Sequence, residues 1–547
     1  MKTTRTLADW NVGHNCNAGF PTRESYRQEE PTGMSALPEV RPSTRVRRLL
    51  VLALSLSFSA FSRAEEPYVL WASTAGGLSF SGGAGIAVAP SGELVVASSV
   101  FFASYLGSIM RFDPRGSMVS SNTARGASLG GVTVDSSGAL YLTGKIGTNG
   151  FFDFPTVQGF FTAKFSTNYT LLWVKSREYQ GQDEDYTSRG YDTRGTAIAL
   201  DPQGNVIVGG SATGRITMGA PQFGQGPGPV LCKYDQDGNL LWARVIDHSP
   251  SSSFGATINS LAVDLSGNIV ICGYLSEGTT DFGGTTVFPG STGHSQSAGD
   301  FYIARYKPNG DLDWVQLGYA MTIALDSHGD IYFSFSWATE GLTGIGKLSS
   351  EGALLWSKTF SNAQSFGYSQ GIAVDAQDQP VFTGEFQDTA TFDTVTLRAR
   401  SATWSDFFVA KTDPQGNVQW AISGGGTEFD RGERVVCDSL GNVFVTASIR
   451  KDIGGFDGLT LVPQSVSETT MVVAKLSQKP ILSIGRSAQN ISLSWPAKAT
   501  NYILEAATSL PEVSWDPVTN NPTVGPTERS LQLPAMGNAR FFRLRQP

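Results

Sequence analysis

Two stretches of this chain carry side chains that could do chemistry. The first, "SREYQGQDEDYTSRGYDTRG" (176–195), sets Glu178, Asp183, Glu184, Asp185 and Asp192 among Tyr179, Tyr186 and Tyr191. Carboxylates suit hard cations, and tyrosine faces beside carboxylates suit polyhydroxylated rings. The second, "GGGTEFDRGERV" (424–435), adds Glu428, Asp430 and Arg431. A run of charge also reads as a solvated polar loop that binds nothing.

Other chemistries find little to work with. "DQDGN" (235–239) opens like a calcium loop but lacks the downstream acidic ligand, so no cofactor is expected, with calcium left open though no specific motif supports it. Cys232, Cys272 and Cys437 are far apart, with no Cys-x-x-Cys pair, which argues against a thiolate metal site or a disulfide framework. No His-Glu-x-x-His or P-loop motif follows residue 64. From residue 65 onward 31 Lys and Arg face 43 Asp and Glu, a net charge of −12. That balance disfavours nucleic acid, whose binding rests on neutralising phosphates.

The elements that must position these loops are repeats. A hairpin typified by "SLAVDLSGNIVICG" (260–273) recurs seven times, its Asp slot falling at Ala89, Asp135, Asp201, Asp264, Asp326, Asp375 and Asp438. In Asp201-Pro202-Gln203-Gly204-Asn205 the carboxylate can accept turn N–H groups, Pro presets φ, and Gly takes the positive φ. A second hairpin, typified by "YIARYKPNGDLDWVQL" (302–317), alternates with it. Each repeat thus predicts four strands, A to D. Trp71, Trp173, Trp242, Trp314, Trp356 and Trp420 share one slot on strand D, with Ser120 in the remaining copy. One tryptophan per repeat points to packing between neighbouring sheets rather than to a ligand site.

The last repeat ends after strand C at "MVVAKL" (471–476), while "YVLWAS" (68–73) supplies a strand D ahead of the first strand A. Pairing the two would close a ring, so the expected fold is an all-β, seven-bladed β-propeller closed by its N-terminal strand. Short A–B and C–D turns then share one end of the ring. The variable B–C and D–A loops, with both charged stretches, share the other, where function usually sits.

Residues 1–64 read as a targeting segment. Arg45, Arg47 and Arg48 precede the apolar run Leu49 to Phe61, and Ser62-Arg63-Ala64 suits a signal peptidase. The run is short for a membrane span, so cleavage after Ala64 and no transmembrane anchor are expected. Met34 would open an ordinary signal peptide, which makes 1–33 an extension ahead of it. The propeller would occupy 65–479. Residues 480–547 lose the Asp-x-x-Gly turns, and their alternating strands, such as "ISLSWP" (491–496), predict a small β-sandwich.

The copies "IAVDAQDQPVFTG" (372–384) and "VCDSLGNVFVTA" (436–447), with "FFVAK" (407–411), resemble the bacterial seven-bladed β-propeller repeat family of SBBP type, whose pattern is NHL-like. Ala89 and Asp378 depart from that pattern. The tail resembles a fibronectin type III-like module. These resemblances imply a secreted or cell-surface recognition protein, and the family has no shared catalytic residues to carry over. The expectation is a monomeric binding or scaffold protein. Its ligand would be an extracellular carbohydrate or protein on the B–C/D–A face, with a surface polymer or carbohydrate favoured. The alternatives are a polysaccharide lyase or glycoside hydrolase using carboxylates there, and a purely structural exoprotein.

Overall fold

The structure, a computed structural model, describes residues 67–545 and the pair Arg5–Thr6. Outside the description, within that span, are 76–79, 103, 147–158, 178–192, 213–215, 218–221, 224–227, 251–254, 290–298, 319, 338–341, 363–368, 451–452, 463–468, 487–488, 501, 509–513, 527 and 536–539.

The described residues are all-β. Sheet I takes four consecutive antiparallel strands, Phe80–Val88, Leu94–Phe102, Ser104–Phe112 and Met118–Arg125. The same A-B-C-D order repeats in sheet II (from Ala127–Val134), III (from Arg194–Leu200), IV (from Ser260–Val263), V (from Thr322–Leu325) and VI (from Ser369–Val374). Sheet VII begins with Arg431–Cys437, Val443–Arg450 and Thr469–Ser477, and its fourth strand is Tyr68–Ala75 from the other end of the chain. That pairing runs antiparallel from Tyr68 opposite Ser477 to Ala75 opposite Met471. Strand A of each sheet lies against strand A of the next, and the series returns from sheet VII to sheet I. The chain is a β-propeller. Because each sheet is covered on both faces, its B strands are buried along their length, as in Val206–Ala212 and Pro380–Gln387.

The turns obey the chemistry of their sequence. Asp201 Oδ1 accepts the N–H groups of Gln203 and Asn205 at 2.9 and 2.8 Å, and Gly204 N–H donates to the Asp201 carbonyl. Its second oxygen meets Lys233 on strand C at 2.8 Å. The same pairing joins Asp326 to Lys347 at 2.9 Å and Asp375 to Lys411 at 2.6 Å, both largely buried. One aspartate therefore caps the A–B turn and fastens it to strand C. Asp378 replaces the turn glycine of sheet VI. It takes φ of 59° and uses its carboxylate to accept the Ser327 N–H and hydroxyl from the neighbouring turn.

The strand-D tryptophans lock each sheet to the next. The indole N–H groups of Trp71, Trp173, Trp242, Trp314 and Trp356 donate to the carbonyls of Pro114, Gln236, Pro308, Ser350 and Pro414, at 3.0 to 3.1 Å. Each acceptor lies in the following sheet's C–D turn, two residues before that turn's glycine. A Cβ on Gly310 would lie 2.9 Å from Trp242, so the glycine supplies both a φ of 82° and the seat for the ring. The exception is consistent. Sheet I has Ser120 in the tryptophan slot, and the following turn has Tyr169, at φ 64°, in place of glycine. Tyr169 fills the vacated space beneath the Arg111 guanidinium, 5.0 Å from its ring centre. Trp420 of sheet VI meets no C–D turn, because sheet VII ends by leading into the tail. It is fully buried with its N–H unpaired.

Two of the long B–C inserts form edge hairpins. The hairpin Thr389–Phe392/Val395–Arg398, inserted in sheet VI, pairs with Leu354–Asn362, the strand D of sheet V. Gly454–Phe456/Leu459–Leu461, inserted in sheet VII, pairs with Val418–Gly425 of sheet VI. Each pairs with the last two residues of that strand's outer edge.

After Pro480 come two further sheets. One orders Ser483–Arg486, Asn490–Pro496, Glu528–Pro534 and Thr523–Val524, and the other Asp516–Pro517, Ile503–Ala507 and Phe541–Arg545. Leu493, Trp495, Leu504, Leu531 and Leu533 form their common core, and Tyr68 of the closing strand is buried in it.

Gly310→Ala is expected to lower stability by roughly 2 kcal/mol or more, combining left-handed strain with the lost tryptophan seat. Gly283→Ala, at φ 97° with nothing within 4 Å of its Cβ, isolates the strain. Urea midpoints compare the two, and equal losses would remove the seat as a stabilising contact.

Candidate functional site

Sheets VI and VII meet at the B–C/D–A end of the propeller in an unusual concentration of charge. Glu385 lies near the end of strand B of sheet VI, and Asp406 at the start of its strand C. Asp430 closes the D–A connection, and Glu433 with Arg434 opens strand A of sheet VII. Relative exposures of the four carboxylates run from 0 to 3%.

Asp430 accepts N–H groups from Gly426 and from Arg450, the latter at 2.9 Å, so it fixes the loop that precedes it. Asp406 accepts the Arg400 N–H at 3.3 Å, and its Oδ1 has no hydrogen-bond partner. Both carboxylates crowd the bare α-carbon of Gly425, where a Cβ would come within 2.6 Å of Asp430 and 2.8 Å of Asp406. Burial pushes each up to about 7, against the pull of the Arg400 charge and the N–H bonds; the Asp406 charge adds to the rise at Asp430. Glu385 is pushed up to about 8, chiefly by burial, with Arg431 opposing and Glu433 reinforcing the shift. Its Oε2 finds no partner. Glu433 is held by Arg431 Nε at 3.0 Å and the Ser448 hydroxyl at 3.3 Å.

Above this buried layer the surface is aromatic. Asp430 N–H donates to the Ser405 carbonyl at 2.8 Å, and Ser405 Oγ donates to the Asp430 carbonyl at 3.1 Å. These bonds bring the B–C and D–A connections of sheet VI side by side. Their neighbours Trp404 and Phe429 are 44% and 37% exposed, with Glu428 and Arg431 partly exposed beside them.

Of the residues singled out from sequence, Glu428, Asp430 and Arg431 fall in this one neighbourhood, Asp430 below the surface and the other two at it. Glu178, Tyr179, Asp183, Glu184, Asp185, Tyr186, Tyr191 and Asp192 lie outside the described residues. Sequence reasoning missed Glu385, Asp406, Glu433 and Trp404. A signal existed for two of them: Glu385 stands where other copies carry Lys145, Ser211, Tyr274 and Ser448, and Glu433 where they carry Gly130 or Gln370. Among the described residues no group of three His, Cys, Asp or Glu could hold a metal ion.

No protein-family model and no curated protein matches the chain. Among solved structures, it is similar to a Dos1 propeller at 8% identity and TM-score 0.40, covering 75% of this chain and 95% of that one. It is also similar to a calcium-binding regucalcin from Agrobacterium tumefaciens at 13% identity and TM-score 0.32, covering 64% and 91%. A putative gluconolactonase follows at 12% identity and TM-score 0.28, covering 57% and 80%.

The raised carboxyls make stability depend on pH. Unfolded, these groups ionise near 4, whereas folded Glu385, Asp406 and Asp430 hold their protons to about 7 or 8. Their contribution is complete below about pH 4 and is lost as pH rises through 7–8. Glu385→Gln removes one titration, so its melting temperature should gain on the parent's by on the order of 2 °C between pH 5 and pH 9. Parallel curves would show that Glu385 ionises at an ordinary pH.

Proposed function

We propose that this chain is a secreted or cell-surface binding and scaffold protein that recognises an extracellular carbohydrate or surface polymer at the loop end of sheets VI and VII. The reading takes the ring as a seven-bladed, SBBP-type propeller with a fibronectin type III-like β-sandwich behind it, exported by a leader cleaved after Ala64. The closed series of strand-A contacts supports the blade count, and the shared core of the two tail sheets supports the sandwich.

The observation that carries the ligand class is the exposure of Trp404 and Phe429 on two connections joined by the Ser405–Asp430 hydrogen bonds, with Glu428 and Arg431 partly exposed on the second of them. Aromatic faces stack on sugar rings, and charged side chains bond their hydroxyls. Trp404→Ala should abolish retention on an insoluble polysaccharide in a pull-down across glucan, mannan, xylan and chitin, with the melting temperature unchanged. Unaltered retention would remove this surface as the binding site.

Glu385 favours a second reading. A carboxyl protonated at neutral pH beside an Arg-held carboxylate is the arrangement an acid–base pair needs. Release of reducing or unsaturated ends from the retained polymer, lost in Glu385→Gln, would make the protein a glycoside hydrolase or lyase.

A further inference from the structure

A cleft of about 450 Å³ opens where the closing strand, the C–D turn of sheet I and the first tail sheet meet, well within the ~300–1,000 Å³ of small-ligand sites. It lies on the short-turn side of the propeller, away from the loop-end surface. Tyr68 and Trp71 line it from the closing strand and Trp495 from the tail. Trp495 is 5% exposed, and its indole N–H has no acceptor in the protein, a deficit a bound oxygen would relieve.

The charged walls are balanced. Lys498 of the tail is paired with Asp457 at the tip of the sheet VII hairpin, and Asp457 also accepts the Val69 N–H at 3.4 Å. Arg115, from the C–D turn of sheet I, and Glu528, from the tail, are exposed and form no ion pair among the described residues. Two cations against two anions give no net attraction for phosphate or an acidic polymer. With polar groups on every wall, an acyl chain would leave them unpaired. An unsatisfied donor, a partly buried indole at Trp71 and exposed hydroxyl partners instead match a neutral, polyhydroxylated ring.

The geometry points to this junction cleft as a binding site for a short neutral oligosaccharide, with Trp71 as its aromatic wall, the Trp495 N–H as a donor and Arg115 and Glu528 as the hydroxyl partners. The ligand class rests on the reading above; the location does not.

Titration of the full chain with neutral hexasaccharides of the β-glucan, mannan and chitin types, followed by calorimetry and tryptophan fluorescence, tests it. The expected result is saturable binding that Arg115→Ala/Glu528→Ala weakens at least tenfold without changing the melting temperature. Trp495→Phe, which keeps the ring but removes the N–H, should weaken binding several-fold. Tighter binding of polygalacturonate than of any neutral sugar would overturn the neutral-ligand assignment. Binding lost in Trp404→Ala but intact in Arg115→Ala/Glu528→Ala would overturn the junction site and leave the loop-end reading standing. The reverse pattern supports the junction and removes the loop-end reading. Absence of binding by every sugar overturns both.

Discussion

A four-stranded sheet leaves its outer strand half unpaired, and a row of such sheets leaves two bare ends; the pairing of Tyr68–Ala75 with Thr469–Ser477 removes both at once. Much else depends on that single ladder. It turns a row into a ring, so every sheet has a neighbour on both faces. It also brings Trp71 onto the first C–D turn and sends Tyr68 into the tail's core. Its cost is equally local: the chain must leave sheet VII where a C–D turn would have been, and Trp420 keeps a buried N–H with nothing to donate to.

The locks between sheets follow one rule with an informative exception. A tryptophan on strand D needs a neighbouring turn with no side chain at one position and a carbonyl two residues earlier. Where the tryptophan is absent, at Ser120, the neighbouring turn is free to carry Tyr169. The two residues are separated by 49 positions yet vary together within one chain, because one fills the volume the other vacates.

Much of the scaffold was legible because its determinants are local. Asp-x-x-Gly turns, alternating apolar strands and the Leu-Trp signature each occupy a few consecutive residues, and the stray "YVLWAS" revealed the closing strand. What escaped reading was tertiary. The bonds from Asp201, Asp326 and Asp375 to strand-C lysines span 21 to 36 positions and look from sequence like two ordinary surface charges. The hairpins inserted in sheets VI and VII were not legible, since their partner strands belong to the preceding sheet. At the candidate site, Asp430 and Arg431 were found as loop charges. Their environment was not, because the desolvation that raises Glu385 and Asp406 comes from packing between sheets. Trp404 was not singled out, because only the Ser405–Asp430 bonds bring its connection alongside the one that carries Phe429.

The placement of Tyr68 opposite Ser477 has a mechanical consequence. The chain enters and leaves the ring at the same end of two adjacent antiparallel strands. Tension between the two ends would therefore load that ladder in the peeling direction, breaking its bonds one after another rather than all together. The first bond to fail would be the one beside Tyr68, and that is where the tail sits, with the tyrosine ring in its core and Lys498 fastened to the hairpin of the same sheet. The C-terminal module thus acts as a clasp over the seam. Pulling on it must first extract an aromatic ring from a hydrophobic core before the propeller can begin to unzip.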